Sequence, residues 1–285
     1  MVELTPLEFR RATFDWRRTY VMGVINVTPD SFSDGGRTAD ASSAIAHGRR
    51  LIAEGADLLD IGGESTRPGA TAVSARDEAV RVVPVVRALA AEATVSVDTY
   101  KAEVAAAALD AGAEVVNDVS GGTLEPALLR AVARHGAVLI LGHLRGSPAD
   151  MNAHARYEDV VREVTAELGE RIEAATAAGV SLVRILIDPG IGFAKTGSHN
   201  LQLLARLGEL RARLPGRPLV VGASRKTFLG ALTGRDVGAR ELATAAAHTV
   251  AILGGANIVR VHDVARQRDA VAVADAVRAA ARVTP

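Results

Sequence analysis

The chain has 285 residues, of which 48% are apolar and 3% aromatic, with 33 basic and 33 acidic side chains and no cysteine. A zero formal charge without a basic stripe argues against nucleic acid as a partner, and the lack of cysteine excludes disulfides, thiolate catalysis and zinc-thiolate sites. Residues 1–20 lack the apolar stretch of a signal peptide, and no later segment reaches the ~18 apolar residues of a membrane span, so we expect no membrane partner and a cytoplasmic location.

Short β-rich runs alternate with alanine-rich segments of helical spacing along the chain. The predicted strands are 20–25, 58–61, 95–97, 114–116, 138–141, 185–187, 219–221 and 257–261. The predicted helices are 39–54, 75–91, 102–111, 125–135, 157–178, 200–214, 239–253 and 264–283. Pro84 falls inside one of these helices and is expected to kink it or to mark a late start.

Glycine–alanine pairs indicate which end of the strands carries the function. The pairs at 55–56, 112–113, 136–137 and 255–256 are typical of helix C-caps that turn tightly into the next strand. Polar, glycine-rich loops follow the strands instead, which is the end where barrel active sites lie. We therefore predict an α/β protein: a single-domain (β/α)8 TIM barrel over residues 19–285, with its active site at the C-terminal ends of the strands and residues 1–18 as an appended N-terminal segment.

A doubly wound sheet is the alternative architecture, and it too would place ligands beyond the strand ends. Eight strand–helix units favour the barrel, which typically occupies about 250 residues as one domain. No Gly-x-Gly-x-x-Gly sequence follows the first strand, which argues against dinucleotide binding.

A polar or glycine-rich cluster follows each predicted strand, and in a barrel these clusters converge on one face. The clusters are 26–36, 62–69, 98–99, 117–122, 143–146, 188–196, 222–227 and 260–263. Each alone has an ordinary explanation as a turn or helix cap. Together, Asp98, Asn117 and Asp188 offer acceptors and an amide, while Lys226 and Arg260 offer donors. That set suits a flat heterocycle with an amino-amide edge, although two carboxylates could equally act as general acid and base.

A second group of side chains indicates an anion site. Asn26, Arg67, Arg260 and His262, with the N–H groups of the glycine-rich loops, could hold a diphosphate and a divalent ion. The segment 222–227 contains Lys-Thr but lacks the glycine spacing of a P-loop. Lys226 and Thr227 are instead expected to open a helix whose N-terminus can receive a carboxylate. A sugar site is disfavoured because so few aromatic side chains are present.

Lysine is rare in this chain and its positions are distinctive. Lys101, Lys195 and Lys226 are the only lysines, and each follows shortly after a predicted strand. Lysine is a compact point donor whereas arginine is a planar fork, so these positions are candidates for places where arginine would not serve. Chance explains three positions equally well.

Several strings in order along residues 22–263 resemble the dihydropteroate synthase family of folate biosynthesis. They are Met22-Gly-Val-Ile-Asn-Val-Thr-Pro-Asp-Ser-Phe-Ser-Asp-Gly-Gly36, Asp60-Ile-Gly-Gly-Glu-Ser-Thr-Arg-Pro-Gly69, Ser96-Val-Asp-Thr99, Val116-Asn-Asp-Val119, Asp188-Pro-Gly-Ile-Gly-Phe-Ala-Lys195, Gly222-Ala-Ser-Arg-Lys226 and Arg260-Val-His-Asp263. The resemblance implies a transferase that joins 6-hydroxymethyl-7,8-dihydropterin diphosphate to p-aminobenzoate, with Mg²⁺ as cofactor. It also implies small-molecule substrates, a homodimer and competition by sulfonamides.

The resemblance assigns roles to individual residues of this chain. The implied pterin site is Asp98, Asn117, Val119, Asp188, Phe193, Lys226 and Arg260. Asn26 would bind Mg²⁺, and Asn26, Arg67, Arg260 and His262 would hold the diphosphate. The implied p-aminobenzoate site is Thr66, Pro68, Phe193, Lys195, Ser224 and Thr227, with the carboxylate near a helix that begins at Ser224. Asp34, Arg67, Asp98 and Lys226 are implied as catalytic, and the loops 28–37 and 64–71 would close over the site.

One position departs from the family pattern. The family often reads Met-His after the fifth barrel strand, where this chain has Gly142-His143, and Leu144 is a candidate to replace the missing contact. His143 is as consistent with a structural role as with a catalytic one.

Two other functions remain to be weighed. A non-catalytic pterin-binding homologue would have no need for Asn26, Asp30, Asp34, Arg67 and His262 together. A pterin-dependent methyltransferase would have little use for Ser-Thr-Arg-Pro and Ser-Arg-Lys, and no cobalamin-binding segment is visible.

Overall fold

The protein forms a (β/α)8 barrel. The structure is a computed structural model that describes residues 4–27, 36–67 and 69–281, without the side chains of residues 36–40. A hairpin of β1 (Leu7–Glu8) and β2 (Thr13–Phe14) precedes the barrel strands. These are β3 (Tyr20–Asn26), β4 (Leu58–Gly62), β5 (Thr94–Asp98), β6 (Val115–Asp118), β7 (Val138–Gly142), β8 (Ile185–Asp188), β9 (Val220–Val221) and β10 (Ile258–Val261).

The barrel strands pair in parallel in the order β8, β7, β6, β5, β4, β3, β10, β9. A parallel bridge between Ile187 and Leu219 joins the two ends of this sheet, and the Ile187 N–H donates to the Pro218 carbonyl at 3.0 Å. The predicted barrel is therefore confirmed. The division of the chain at residue 18 stays a prediction.

Helices alternate with the barrel strands, largely at the predicted positions. They are α1 (Gly36–Ala53), α2 (Ala75–Leu89), α3 (Ala102–Asp110), α4 (Ala127–His135), α5 (Val160–Ala177), α6 (Gly197–Ala205), α7 (Leu207–Arg213), α8 (Thr227–Thr233), α9 (Glu241–Leu253) and α10 (Val264–Ala280). None of the helices in the described ranges is both long and apolar enough to cross a membrane.

Three helix predictions need correction. The single helix expected over 200–214 is interrupted at Arg206, whose backbone leaves the helical region and whose side chain pairs with Asp159 and Glu209. α8 begins at Thr227, which confirms the helix start expected at Lys226–Thr227 and corrects the one expected at Ser224, because residues 223–226 form a turn. A late start at Pro84 is excluded, since α2 begins at Ala75.

The glycine–alanine turns are confirmed. Gly55, Gly112, Gly136 and Gly255 have φ values of 96°, 114°, 60° and 106°, which an L side chain adopts only with strain. These tight turns keep the connections into the strands short and leave the long loops at the opposite end of the barrel.

Aromatic residues close the N-terminal end of the barrel. Phe14 of the hairpin stacks on Tyr20 with ring centroids 3.9 Å apart, and Trp16 packs edge-on against both rings. This cluster includes apolar side chains from β3, β4 and β6 to β10, such as Met22 and Leu58. The carboxylates of the pocket, such as Asp98 and Asp188, lie at the opposite, C-terminal ends of the strands.

Candidate active site

An open pocket of about 400 Å³ lies at the C-terminal ends of the barrel strands. Its lining comprises Thr66, Asp98, Asn117, Val119, Gly142, Asp188, Gly190, Phe193, Gly222, Lys226 and Arg260. Apart from the three glycines, every one of these is a site residue predicted from the sequence. The barrel therefore brings together side chains that are up to about 190 residues apart in the chain, as parallel strand ends should.

The floor of the pocket is an ion-pair and hydrogen-bond network around Asp60. One carboxylate oxygen of this fully buried residue accepts from the Arg260 Nε at 2.6 Å and from the Asn117 amide at 3.0 Å. The Arg260 Nη2 donates to Asp98 at 2.6 Å. Asp60 therefore fixes the orientation of two ligand-facing side chains, because each has one donor already committed to it.

Burial shifts the protonation of the charged groups that face the pocket. It raises the pKa of Asp98 to about 7, although the Arg260 guanidinium opposes the rise. It also raises the pKa of Asp188, against the hydrogen bond from the Gly190 N–H. Burial and repulsion by Arg260 lower the pKa of Lys226 to about 8. The pKa values of Asp98 and Lys226 thus lie close to neutral pH, so a bound heterocycle with matching donors and acceptors can set the charge states of these two groups.

Phe193 and Lys226 form one wall of the pocket. The Lys226 amine lies 3.6 Å from the centroid of the Phe193 ring, which is a cation–π contact. Ala194, the next residue, has a positive φ of 49°. Strained backbone of this kind persists only where surrounding contacts hold it, and it clusters at functional sites.

Lys195 contacts the backbone of this wall at Phe193. Its buried amine donates to the Phe193 carbonyl at 2.9 Å and to His143 Nδ1 at 2.9 Å. His143 Nε2 lies 3.0 Å from Glu167, and burial lowers the pKa of this histidine to about 3, so the ring is neutral. This environment is that of a structural histidine. The p-aminobenzoate role of Lys195 stays a prediction; its amine contacts Phe193 and is not part of the pocket lining.

Of the predicted anion-binding residues, Arg260 lines the pocket, and the positions of the others are called the rim here: Arg67 adjoins Thr66 of the lining in the chain, His262 follows Arg260 by two residues, and Asn26 ends β3. His262 Nδ1 lies 3.0 Å from the Ser224 hydroxyl, and burial together with repulsion by nearby arginines lowers the pKa of this histidine to about 3. Arg67 and Thr227 are exposed, and Asn26 ends β3 in register with Gly62 of β4. Asp34 and Pro68, with most of the first loop, lie outside the described residues.

Gly142 lies where the β6–α4 loop crosses the end of β7. A Cβ on this glycine would be 2.7 Å from both the Cα and the carbonyl oxygen of Val119, and 2.8 Å from the Asp118 carbonyl oxygen. Val119 lines the pocket at this point. Leu144, the candidate replacement for the missing methionine contact, is instead buried against Val119 and Met151 behind the lining.

Sequence reasoning missed Asp60 as a functional residue. The signal was present, since an aspartate within the apolar run 58–61 is almost never buried without a partner. Its partners lie 57 and 200 residues further along the chain, so only the fold identifies them.

The fold and the pocket define a barrel protein with a site for a flat, nitrogen-rich heterocycle, and comparison with known proteins agrees. The family model described as "Pterin binding enzyme" matches residues 22–262. The dihydropteroate synthase of Mycobacterium leprae is 51% identical over 264 residues, covering 90% of this chain and 92% of that protein. The corresponding protein of Synechocystis sp. is 46% identical over 275 residues, covering 95% and 94%.

A solved structure shows the same likeness in three dimensions. The Xanthomonas albilineans dihydropteroate synthase with 4-aminobenzoic acid superposes with a TM-score of 0.90 at 46% identity, over the full length of both chains. The chain belongs to the pterin binding enzyme family and, within it, to the dihydropteroate synthases.

Proposed function

We propose that this protein condenses 6-hydroxymethyl-7,8-dihydropterin diphosphate with p-aminobenzoate, releasing diphosphate and forming 7,8-dihydropteroate. The observation that carries the proposal is the convergence of Asp98, Asn117, Asp188 and Lys226 on one pocket above the buried Asp60–Arg260 pair. The high identity to dihydropteroate synthases over nearly the whole chain supports it.

The pocket has the polarity that a pterin requires. A pterin presents an amino group and ring N–H donors on one edge and acceptors on the other, which match the carboxyl groups of Asp98 and Asp188 and the donors of Asn117 and Lys226. Arg260 has two of its nitrogens held by Asp60 and Asp98, so it offers its remaining face to the ligand in a fixed orientation. Val119 and Phe193 supply apolar contacts to the ring.

The reaction needs charge stabilisation and positioning more than a strong base. The bond between the pterin methylene carbon and the diphosphate oxygen breaks, the electron pair leaves with the diphosphate, and the p-aminobenzoate nitrogen then bonds to the carbon and loses a proton. Fixed donors near the leaving oxygens lower the barrier because charge develops there. We assign this role to Arg67 and His262, with the His262 ring neutral and acting as a hydrogen-bond donor or acceptor.

Mg²⁺ is part of the proposal, with Asn26 as its protein ligand. An amide oxygen suits this hard cation, which commonly takes one or two protein ligands and the oxygens of a substrate phosphate. No group of three His, Asp or Glu side chains suited to a metal occurs among the described residues, in keeping with a metal shared with the diphosphate. When bound, the ion would neutralise charge on the leaving group.

The p-aminobenzoate site is proposed beside Phe193 and Thr66, with Ser224, Thr227, Lys195 and Pro68 assigned by resemblance. Support comes from the 4-aminobenzoic acid bound to the Xanthomonas relative. Sulfonamides share the shape of this substrate, so we expect them to compete with it.

The proposed product offers a direct test. Purified protein with both substrates and Mg²⁺ should form 7,8-dihydropteroate, identified by its mass. Pterin binding without any product would instead identify a non-catalytic pterin-binding homologue.

We also propose that the protein is a homodimer formed by the late helices. Exposed apolar side chains are concentrated there, including Leu232 at 60%, Val237 at 54%, Leu242 at 86%, Val273 at 62% and Val277 at 51%. Patches of this kind commonly mark association surfaces. A monomeric mass in analytical ultracentrifugation at micromolar concentration would contradict this assembly. The cytoplasmic location stays a prediction from the sequence.

A further inference from the structure

A buried ionic cluster lies outside the pocket, beneath the loop that follows β4. The Lys101 amine contacts the carboxylates of both Glu64 and Glu78, and the three side chains are 10%, 7% and 1% exposed. The Tyr100 hydroxyl donates to the other oxygen of Glu64 at 2.8 Å, and its ring lies 4.6 Å from the Lys101 amine. Lys101 is one of only three lysines in the chain, and the proposed function gives it no role.

The cluster fixes the base of the second loop. Glu64 opens this loop, and the Val73 N–H at its far end donates to Glu64 Oε2 at 3.3 Å. The preceding Gly63 is held through its carbonyl by Arg81 at 2.8 Å. The Glu64 carboxylate therefore joins the two ends of the segment 64–73. This segment carries Thr66 of the pocket lining and Arg67 of the rim.

The same lysine belongs to the segment that carries a pterin-facing residue. Lys101 follows Asp98 by three positions and is the N-cap residue of α3, and its N–H donates to the Thr99 hydroxyl at 3.2 Å. Asp98 and the second loop are thereby tied together through Lys101 and Glu64. A single compact ammonium bridges two carboxylates here, a geometry that lysine suits better than the planar guanidinium of arginine.

The protonation of the cluster is consistent with a charged bridge. Burial acts to lower the pKa of Lys101, but hydrogen bonds to Glu64 and Glu78 raise it overall, so the amine stays charged. Burial raises the pKa of Glu78 against the attraction of Lys101. Removal of the lysine would leave two carboxylates close together in a buried space, and their repulsion would push Glu64 and the loop outward.

We propose that Lys101 is a positioning residue for the reaction: through Glu64 it holds the segment 64–73 so that Thr66 and Arg67 face the pocket. The inference rests on the proposed function, in which this loop helps to bind p-aminobenzoate and the departing diphosphate. It predicts a defect in turnover and in the use of p-aminobenzoate, whereas the part of the pocket floor formed by Asp60, Asn117 and Arg260, which makes no contact with Lys101, is unaffected.

The test uses the full-length protein and separates pterin binding from turnover. In Lys101→Met, we expect kcat/KM for p-aminobenzoate to fall about 10- to 100-fold, the range that a small misplacement of reacting groups produces. The dissociation constant for 6-hydroxymethyl-7,8-dihydropterin, which carries no leaving group, should stay within about twofold by calorimetry. Tyr100→Phe, which removes one hydroxyl contact to Glu64, should show the same pattern at a smaller, several-fold size and serves if Lys101→Met does not fold.

Arg278→Met is the matched control. The Arg278 side chain is similarly buried, with 12% exposed, pairs with Asp275 at 2.6 Å and contacts Thr19 and Ala256 at the opposite end of the barrel. The Arg278→Met variant should have a lower melting temperature than the wild type but the same kinetic constants per folded molecule. If the Lys101→Met and Tyr100→Phe variants behave like this control, or if pterin affinity falls in step with turnover, Lys101 has only a structural role and the inference is wrong. A wild-type protein that binds the pterin yet never turns over would overturn the proposed function first, and the inference with it.

Discussion

Among the proposed pterin-binding residues, Lys226 offers the most direct test of the pocket. Its amine faces Asp98, Asp188 and Arg260 and is held against Phe193. We expect Lys226→Ala to weaken pterin binding by about 10- to 100-fold, since hydrogen bonds to charged groups contribute about 1.5–3 kcal/mol. Calorimetric titration with 6-hydroxymethyl-7,8-dihydropterin measures this, and unchanged affinity would contradict the pocket assignment. Arg67→Ala, at the exposed rim, should mainly slow turnover and leave this affinity intact.

Gly142 packs so closely on the loop after β6 that a larger side chain should be costly there. Because a Cβ there would press on the backbone of Asp118 and Val119, Gly142→Met should destabilise the fold by about 1–3 kcal/mol. Chemical denaturation measures the change. Gly169→Ala is the control, since this helical glycine has no atom within 4 Å of an added Cβ and should gain up to about 1 kcal/mol. A Gly142→Met variant as stable as the wild type would show that the loop after β6 gives way easily.

His248 makes stability depend on pH. This buried residue accepts from the Ala223 N–H at 3.3 Å through Nε2 and contacts Gln267 at 3.0 Å through Nδ1, and burial lowers its pKa from 6.5 to about 4. Between those values the unfolded chain binds a proton that the folded protein does not, so its contribution is complete above pH 6.5 and is lost as the pH falls towards 4. The loss is roughly 1.4 kcal/mol per pH unit.

His248→Gln isolates this effect, because all other titrating groups are shared with the wild type. The difference in unfolding free energy between the two proteins should shrink as the pH is lowered from 7 to 4.5 in urea denaturation. A difference that is constant with pH would mean that His248 takes up its proton equally in both states.

Among the helices, α2 begins directly after the second loop, and we expect its N-cap residue to stabilise it. The Ser74 hydroxyl accepts from the Asp77 N–H at 3.1 Å and donates to the Asp77 carboxylate at 2.7 Å. Ser74→Ala should therefore cost about 1 kcal/mol of unfolding free energy. Ser43→Ala, at an exposed site within α1, provides the control and should be neutral or slightly stabilising. Equal stability of both variants would show that the cap contributes nothing.

Periodicity predicted the elements well because each signal is local. The alternating apolar runs and the glycine turns at 55 and 112 depend on neighbouring residues only. The break at Arg206 could not be predicted, since it is accompanied by an ion pair to Asp159, 47 residues away. The links of Lys101 to Glu64 and of Asp60 to Arg260 are non-local for the same reason: only the barrel brings those strand ends together.

In the molecule as a whole, the aromatic cluster and the pocket lie at opposite ends of the barrel. Phe14, Trp16 and Tyr20 pack the base, whereas Lys101, Lys195 and Lys226 all lie near the opposite end, each in a buried or half-buried place among polar partners. The three lysines have different tasks in this account: Lys226 faces the pterin, Lys195 supports Phe193, and Lys101 holds the second loop.

Diphosphate release is the decisive measurement of whether this pocket couples a pterin diphosphate to an arylamine. With 6-hydroxymethyl-7,8-dihydropterin diphosphate and Mg²⁺, we expect release that rises and saturates with p-aminobenzoate and that sulfonamides inhibit competitively. If release is absent, or proceeds at the same rate without p-aminobenzoate, the proposed function is wrong.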